Sequence, residues 1–255
     1  MFTYRSSFFI VTLVVSLAFA GCAAMTVAPT AEERQTLAPN GRLRVGVYPG
    51  SPTKRVITDL GKALAVRLGV PFELVELKTQ SELLAAVGAG KVDFTGTNPS
   101  PARMAQMDFT STVLDIELGY LVVRGSRVSK ISDVDRPGVR IGVTQGSTSQ
   151  TTLPMMLRSA TVVPVSTLKL AGEMLIDRKI DAYATNKAIL FEMSDGLSGS
   201  RILEGNWGTE HWAVSIPKGR EGGLKYVQKF TEMARADGLV KSASEGAGLR
   251  GAVIP

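Results

Sequence analysis

Two short segments of this chain occur twice, and this internal repeat constrains the fold more than any other feature of the sequence. Residues 91–98 read KVDFTGTN and match residues 179–186, which read KIDAYATN. Residues 44–51 read RVGVYPGS and match residues 140–147, which read RIGVTQGS. Each copy is an apolar strand that runs into a polar turn. The repeat therefore predicts two similar α/β lobes whose polar turns face each other across a cleft.

The apolar periodicity around the first copy predicts the order β-α-β-α-β, which is typical of a parallel sheet covered by helices. A short helix is expected at residues 101–107 and a loop at 108–112. The chain is expected to cross to the second lobe near residues 118–124 and to return near 212–218, which would make a hinge of two strands. The predicted organisation is then as follows: residues 1–22 are a signal peptide, residues 23–40 are a flexible tether, residues 41–118 plus 217–255 form lobe 1, and residues 119–216 form lobe 2.

The amino terminus carries a targeting signal. Arg5 precedes an apolar run at residues 8–20, which is typical of a secretory signal and too short for a comfortable bilayer span. Cys22, the chain's only cysteine, follows in FAGC, which resembles a bacterial lipobox. We favour lipidation of Cys22 and a membrane-anchored protein of the periplasm. The alternative is plain cleavage that leaves a free thiol. With a single cysteine, the fold cannot depend on an internal disulfide.

Composition excludes several function classes. The formal net charge is +6, but the sequence has no run of Lys and Arg interleaved with aromatics, so we predict no nucleic-acid partner. One histidine cannot make a histidine metal cluster, and the sequence contains no CxxC, HExxH or P-loop motif. We therefore predict no cofactor and no metal, and we do not expect an enzyme.

The order of motifs resembles that of the type II periplasmic solute-binding proteins, family 3, the amino-acid-binding-type receptors of ABC importers. The likeness covers roughly residues 41–245 and includes LRVGV, DLGKALAVRLGVPFELV, AGKVDF, SPAR, GYLVVRGS, RKIDAYATN and WAVSIPKG. The resemblance implies two lobes joined by a two-strand hinge, a small-molecule ligand, an ABC transporter permease as partner and a monomeric receptor. The loop after the first strand, PGSPTKRV, is shorter than in typical members and lacks their aromatic-rich stretch.

The resemblance implies that Arg103 binds a ligand carboxylate in a two-pronged grip, with Asn98 as a polar contact. Ser147 and Thr148, at a helix start in lobe 2, would hold the same carboxylate. Asn186 stands where the family has an aspartate that pairs with an α-ammonium; the neutral amide can accept a hydrogen bond from an ammonium but supplies no charge.

Each candidate has a structural alternative. Arg103 could be a surface arginine, and Asn98 a turn former before Pro99. Ser100 is either a ligand contact or the N-cap of the helix that carries Arg103. Tyr48 is either a ligand contact or a surface aromatic, and Ser51 is either a contact or a turn serine. Ser147 with Thr148, and Asn186, are either ligand contacts or caps of the helices that follow them.

The sequence as a whole predicts an extracytoplasmic receptor that closes over a small carboxylate-bearing solute, an amino acid or a related organic acid. Two alternatives remain. One is a sensory or partner-binding lipoprotein of the same fold. The other is a dehydratase-type enzyme, which would need a carboxylate or histidine in the cleft. Glu204, Trp207 and His211, near the return crossing, are the candidates for a residue that approaches the cleft.

Overall fold

The computed structural model describes Met1 and residues 28–255, which alternate between helices and strands. The helices are α1 (Ala31–Leu37), α2 (Lys54–Leu68), α3 (Gln80–Gly88), α4 (Pro101–Met104), α5 (Thr148–Met156), α6 (Leu168–Ile176), α7 (Lys187–Gly196), α8 (Glu221–Ala236) and α9 (Leu239–Gly246). The strands are β1 (Leu43–Val47), β2 (Phe72–Glu76), β3 (Thr95–Thr97), β4 (Met107–Val122), β5 (Arg140–Thr144), β6 (Thr161–Val165), β7 (Ala182–Asn186), β8 (Arg201–Ile202), β9 (Gly208–Pro217) and β10 (Ala252–Val253). Within the part of the chain described, no helix combines the length and apolar character needed to cross a membrane.

Strands β4 and β9 join the two halves of the molecule. In the larger sheet the strand order is β3-β9-β4-β7-β5-β6, while β1 and β2 form a separate parallel pair. One edge of β9 pairs with β3 and the other with β4. Leu118 is the point at which β4 leaves β9, because it pairs with Gly208 on one side and with Asn186 of β7 on the other. The two long strands therefore connect a lobe built on β1, β2 and β3 with a lobe built on β5, β6 and β7.

The core follows the same division. In the first lobe, one apolar cluster lies between β1 and helices α2, α8 and α9, and includes Leu60, Leu64 and Phe230. A smaller cluster lies on α3 and the residues just before β3. In the second lobe, two clusters cover the opposite faces of the β5–β7 sheet. The predicted α/β fold of two lobes joined by two strands is confirmed.

The sequence repeat corresponds to a repeated cluster of charged side chains. Arg44 donates to the carboxylate of Asp93 from Nε and Nη2, each at 2.7 Å, and from its backbone N–H at 3.0 Å. Arg140 donates to Asp181 in the same three ways, at 3.1, 3.2 and 2.9 Å. A second arginine completes each cluster: Arg220 on Asp93, and Arg127 on Asp181. In each lobe the matching Arg and Asp residues thus link the start of one strand, β1 or β5, to the residues just before another strand, β3 or β7.

The matching glycines have a packing role. A Cβ on Gly46 would lie 2.7 Å from a methyl carbon of Val92, and a Cβ on Gly142 would lie 2.5 Å from a methyl carbon of Ile180. Val92 and Ile180 occupy equivalent places in the repeat. In both lobes, therefore, the strand (β1 or β5) needs a glycine at the place where an apolar side chain, Val92 or Ile180, packs against it.

Part of the predicted tether is a docked helix. The predicted signal peptide after Met1, Cys22 and residues 23–27 lie outside the described residues. From Thr30 onward, however, a capping box with Glu33 starts α1. Leu37 is fully buried, and it packs so closely on α8 that a Cβ at Gly223 would lie 2.6 Å from it. The prediction of a flexible tether is therefore wrong for residues 31–38.

Three other expectations differ from the structure. Residues 108–112 belong to β4 and are not a loop, and the helix that begins at Pro101 ends at Met104. The return crossing lies earlier than residues 212–218, since Ala213, Val214 and Ser215 already pair with β3 of lobe 1. The boundary expected between residues 216 and 217 is therefore displaced. Helix α9, which the sequence pattern did not reveal, packs against α2 and α8.

Candidate functional site

A cavity of about 50 Å³ lies between the lobes, where the polar turns of both repeats meet. Its walls include seven of the eight predicted ligand contacts: Tyr48, Ser51, Asn98, Arg103, Ser147, Thr148 and Asn186. The eighth, Ser100, lines an adjoining cavity of about 770 Å³ that shares Asn98, Arg103 and Thr148 with the first. The fold therefore brings together residues from four separate turns, which is the arrangement that the repeat predicted.

Arg103 is buried at the start of α4, with 5% of its surface exposed. Ser100 is the N-cap of this helix and accepts a hydrogen bond from the Arg103 N–H at 3.4 Å, so its capping alternative applies. The guanidinium donates to Thr97 Oγ1 at 2.8 Å, to the backbone and side-chain oxygens of Asn98, and to the Gly146 oxygen at 3.3 Å. All these acceptors are neutral. Burial lowers the pKa of Arg103, while the charge of Glu210 opposes that shift.

The lobe-2 wall begins at the N-terminus of α5. Ser147 is the N-cap and accepts from the Gln150 N–H at 3.3 Å. Thr148 Oγ1 accepts from Asn98 Nδ2 at 3.0 Å, so the two lobes are bonded to each other at the cavity. The first N–H groups of a helix lack intrahelical partners and carry a partial positive charge, which favours an anion at this end. The capping role of Ser147 is compatible with such a use.

Asn186 is both a helix cap and a wall of the cavity. Its Oδ1 accepts from the Ile189 N–H at 3.0 Å, and its Nδ2 donates to Glu210 Oε2 at 3.0 Å. Bonds on both sides of the amide fix its orientation. Because Oδ1 of Asn186 already accepts a hydrogen bond from its own helix, the side chain presents its NH2 group to the carboxylate of Glu210.

Glu210 is the functional candidate that the sequence interpretation missed. It lies on β9, is partly buried, and lines both cavities. Burial raises the pKa of the Glu210 carboxyl, whereas the Asn186 hydrogen bond and the Arg103 charge lower it. A signal was present in the alternation of the strand, because Glu210 and Trp212 share the face that lines the smaller cavity. The chain was expected to return to lobe 1 only near residues 212–218, so the alternation of residues 208–212 was not examined.

The residues proposed around the return crossing occupy different places. His211 is exposed, pairs with Asp115 at 2.6 Å, and lies at the rim of the larger cavity. Trp207 also lines that cavity, and its indole N–H donates to the Gly119 oxygen at 3.1 Å. Glu204 is exposed and lines neither cavity.

Two aromatic side chains, Tyr48 and Trp212, contribute to the apolar lining of the smaller cavity. Trp212 is 3% exposed, and its ring lies so close to β3 that a Cβ on Gly96 would be 1.9 Å from it. Tyr48 is partly buried, and burial raises its pKa to about 12, so the phenol is neutral at physiological pH. Ser51 shares a hydrogen bond of 3.0 Å with Thr53. Within residues 28–255, no group of three or more His, Cys, Asp or Glu is placed to hold a metal ion.

Comparisons with known proteins agree with this architecture. The ABC transporter glutamine-binding protein GlnH of Bacillus subtilis is 22% identical over 136 residues, which are 53% of this chain and 50% of that protein. The match thus spans about half the length of that relative. Among solved structures, AbpA of Streptococcus pneumoniae bound to L-arginine has a TM-score of 0.73 at 20% identity, and covers 84% of this chain and 97% of its own.

Two further solved structures show the same fold. The ancestral amino acid-binding protein AncCDT-1, described as a precursor of cyclohexadienyl dehydratase, has a TM-score of 0.71 at 23% identity, with 84% of this chain and 97% of its own covered. A solute receptor for L-cysteine of Neisseria gonorrhoeae has a TM-score of 0.72 at 21% identity, with 84% and 92% covered. The family model for bacterial extracellular solute-binding proteins, family 3, matches residues 56–246. The chain therefore belongs to the bacterial extracellular solute-binding proteins of family 3.

Proposed function

We propose that this protein is an extracytoplasmic receptor that binds a small carboxylate-bearing solute between its lobes and delivers it to an ABC importer. The observation that carries the proposal is the buried guanidinium of Arg103, which lines the cavity and is bonded to neutral oxygens. A buried charge is costly without a counter-charge. A ligand carboxylate would supply one, and its two oxygens match the planar fork of the guanidinium.

The second lobe supports the same assignment. The N-terminus of α5, with Ser147 and Thr148, faces Arg103 across the cavity, and the Gly146 oxygen already contacts the guanidinium. A carboxylate bound here would touch donors from both lobes only when the lobes are close together. Binding would then favour the closed arrangement, which the importer would recognise.

The names of the relatives favour an amino acid or a related organic acid as the solute. One relative is named as a glutamine-binding protein, one solved structure holds L-arginine, and another is a receptor for L-cysteine. These ligands share an α-carboxylate and an α-ammonium and differ in the side chain. We propose the shared carboxylate as the group that Arg103 binds, with Asn98, Tyr48 and Ser51 as further contacts.

The proposed receptor is a periplasmic monomer held at the membrane by a lipid on Cys22, with an ABC permease as its partner. Cys22 lies outside the described residues, so this part rests on the lipobox-like FAGC alone. Mass spectrometry of the mature amino terminus, purified from membranes, tests it. A diacylated Cys22 supports the anchor, whereas an unmodified chain cleaved after Ala20 contradicts it.

The main proposal is tested by substituting Arg103→Ala and measuring ligand binding. The panel consists of the standard amino acids, small dicarboxylic acids, amides and inorganic anions, screened by thermal unfolding and then by calorimetry. Ligand at a hundredfold excess over Kd stabilises by about 2.7 kcal/mol. Losing a buried charged partner costs about 2–5 kcal/mol, so affinity should fall about thirtyfold or more.

Arg42→Ala is the matched control, because Arg42 forms an exposed ion pair with Glu73 just before β1 and lines neither cavity. Its affinity should equal that of the wild type. Unchanged affinity in Arg103→Ala would remove Arg103 from the site.

One observation favours a second candidate function, a dehydratase acting on a small cyclic acid. Glu210 is a partly buried carboxyl group with a raised pKa in the cavity, and such groups serve as general acids. The described precursor relationship of AncCDT-1 points to the same chemistry. Incubation with prephenate-like or arogenate-like acids and mass spectrometry of the products tests it. Recovery of unchanged compounds would exclude turnover of these acids.

A further inference from the structure

The end of lobe 2 that lies away from the cleft has a strong positive charge. The cavity residues Ser147 and Asn186 lie at the carboxyl ends of β5 and β7. At the amino ends of β5, β6 and β7, and beside them after β4 and at β8, lie residues 124–140, 158–160, 177–181 and Arg201. We call this surface the basic end of lobe 2. The strands between it and the cavity are five residues long, about 17 Å.

The excess charge of the molecule is concentrated in the basic end. Its segments contain nine Lys or Arg residues and four Asp or Glu residues. The other residues of the described range 28–255 contain nineteen of each kind, so they are neutral overall. Of the nine basic residues, eight are exposed and Arg140 is partly buried. An excess of this size confined to one surface sets up a local potential that attracts anions.

The acidic residues of the basic end are already occupied. Asp133 and Asp135 accept hydrogen bonds from backbone N–H groups at distances between 2.6 and 3.2 Å. Asp181 is buried and pairs with two arginines, and Asp177 pairs with Lys179. Four of the nine basic residues account for every ion pair that this surface makes within residues 28–255. The other five therefore have no carboxylate partner there.

These five exposed cations have the chemistry to bind phosphate groups. They are Arg124, Lys130, Arg158, Arg178 and Arg201. Arg178 donates to the Gly125 oxygen at 2.8 Å, and Arg201 donates to the Ser129 oxygen at 2.7 Å. Each of these two guanidinium groups is thereby held at one nitrogen and keeps further N–H donors. The planar fork of a guanidinium matches the oxygens of a phosphate.

An apolar side chain lies beside these cations. Ile176, the last residue of α6, is 63% exposed and directly precedes Asp177, Arg178 and Lys179. Exposed basic side chains next to an exposed aliphatic one are typical of surfaces that lie on a bilayer. There the headgroups attract the cations, and the acyl boundary accepts the apolar group. A soluble polyanion offers no place for Ile176, so the combination favours a lipid surface.

We propose that the basic end of lobe 2 binds the surface of a bilayer that is rich in anionic phospholipid. Lipid phosphates contact the five exposed cations, and Ile176 enters the boundary between headgroups and acyl chains. Because the cavity lies at the other end of the same strands, the bound protein keeps its cleft accessible. This inference goes beyond the proposed function and depends neither on the identity of the solute nor on lipidation of Cys22.

The test is co-sedimentation of the exported chain with vesicles of phosphatidylcholine, with and without about one-third phosphatidylglycerol. Every protein used carries Cys22→Ala, so that no acyl group on the protein contributes to binding. We expect binding to the anionic vesicles alone, and its loss when sodium chloride rises from about 0.05 M to about 0.5 M. Arg124→Gln combined with Arg158→Gln removes two of the unpaired charges and should weaken binding about twentyfold.

Lys225→Gln combined with Lys229→Gln is the matched control, because it removes the same charge from exposed positions on α8 of lobe 1. This control should bind the vesicles as the parent protein does. Ile176→Ser should weaken binding to vesicles and leave binding to inorganic polyphosphate unchanged. No binding to anionic vesicles at low salt, or an equal loss in both double variants, overturns the proposal. Binding to polyphosphate but not to vesicles also overturns it and assigns the surface to soluble polyanions.

Discussion

Gly96 shows how a single residue shapes the cavity. It lies in the middle of β3, and the indole of Trp212 on the neighbouring strand covers the place where a side chain would be. The contact brings a large apolar ring against the strand that leads to Asn98 and Arg103. The Trp212 ring can therefore occupy this position only because Gly96 has no Cβ.

Substituting Gly96→Ala should destabilise the protein and weaken ligand binding. The added methyl group would lie 1.9 Å from the Trp212 ring, so either the ring or strand β3 must move. Overpacking of this kind costs about 1–3 kcal/mol, measurable by urea unfolding. Gly172→Ala in α6 is the control, since its Cβ would meet Leu197 at an ordinary 3.5 Å. A stability equal to that of the wild type in Gly96→Ala would contradict the packing account.

At the scale of single residues, the sequence predicted which residues line the cavity better than it predicted the hydrogen bonds that they form. Arg103 was a candidate because a strand, a turn and the motif of the resembled family agree on its position. Glu210 was not, because a strand that runs between two lobes has no turn or cap to mark where its cavity-facing residues begin. The bond between Asn186 and Glu210 joins residues that are 24 apart in sequence, and only strand pairing brings them together.

At the scale of elements, the repeated Arg–Asp clusters hold two strands of the same lobe together. In both lobes an aspartate just before a strand binds the arginine at the start of a neighbouring strand. The two clusters differ in burial. Asp93 is fully buried, and the side chains of Arg44 and Arg220 are 14% exposed. In the second cluster, by contrast, Arg127 and Arg140 are 54% and 35% exposed.

Asp93→Asn should cost more stability than Asp181→Asn. Removing the charge of Asp93 leaves two buried guanidinium groups without a counter-charge, a loss of about 3–5 kcal/mol. The arginines beside Asp181 can turn to water, so that loss should be about 1 kcal/mol. Urea unfolding at neutral pH measures both variants, each serving as the other's control. Equal losses would mean that burial does not set the strength of these clusters.

Some elements escaped sequence interpretation for physical reasons. Residues 108–112 read DFTST, a polar run typical of a loop, yet they form part of β4. The ladder to β9 shifts register here, and side chains of α8 complete the backbone bonds: Gln228 accepts from the Ser111 N–H at 2.8 Å, and Arg235 donates to the Thr112 oxygen at 3.1 Å. Hydrogen bonds to side chains distant in sequence therefore outweighed the local preference of residues 108–112 for a loop. A local stretch of sequence does not contain this information.

At the scale of the whole molecule, the segment after α9 adds a third connection between the lobes. Strand β10 pairs with β4 at Asp115 and Ile116, beside the point where β4 leaves lobe 1. Arg250 reaches α7 of the second lobe, where it pairs with Asp195 and lies 4.8 Å from the centre of the Phe191 ring. The lobes are thus linked by two long strands and by this short outer strand.

Arg250→Ala should loosen this outer link without changing the cavity. We expect faster backbone hydrogen exchange in α7 and in β10, with a stability loss of at most about 1 kcal/mol because the pair is exposed. Hydrogen exchange followed by mass spectrometry measures it. Lys241→Ala, which removes an exposed pair to Glu245 within α9, is the matched control. Unaltered exchange in α7 would mean that Arg250 does not couple the lobes.

The place of Trp212 also has an optical consequence. The chain contains two tryptophans, and only Trp212 lines the smaller cavity, while Trp207 borders the larger one and bonds to the Gly119 oxygen. Indole emission shifts in wavelength and intensity when the polarity around the ring changes. The protein therefore carries its own fluorophore in the wall of the cleft, so occupancy can be followed in real time without a dye.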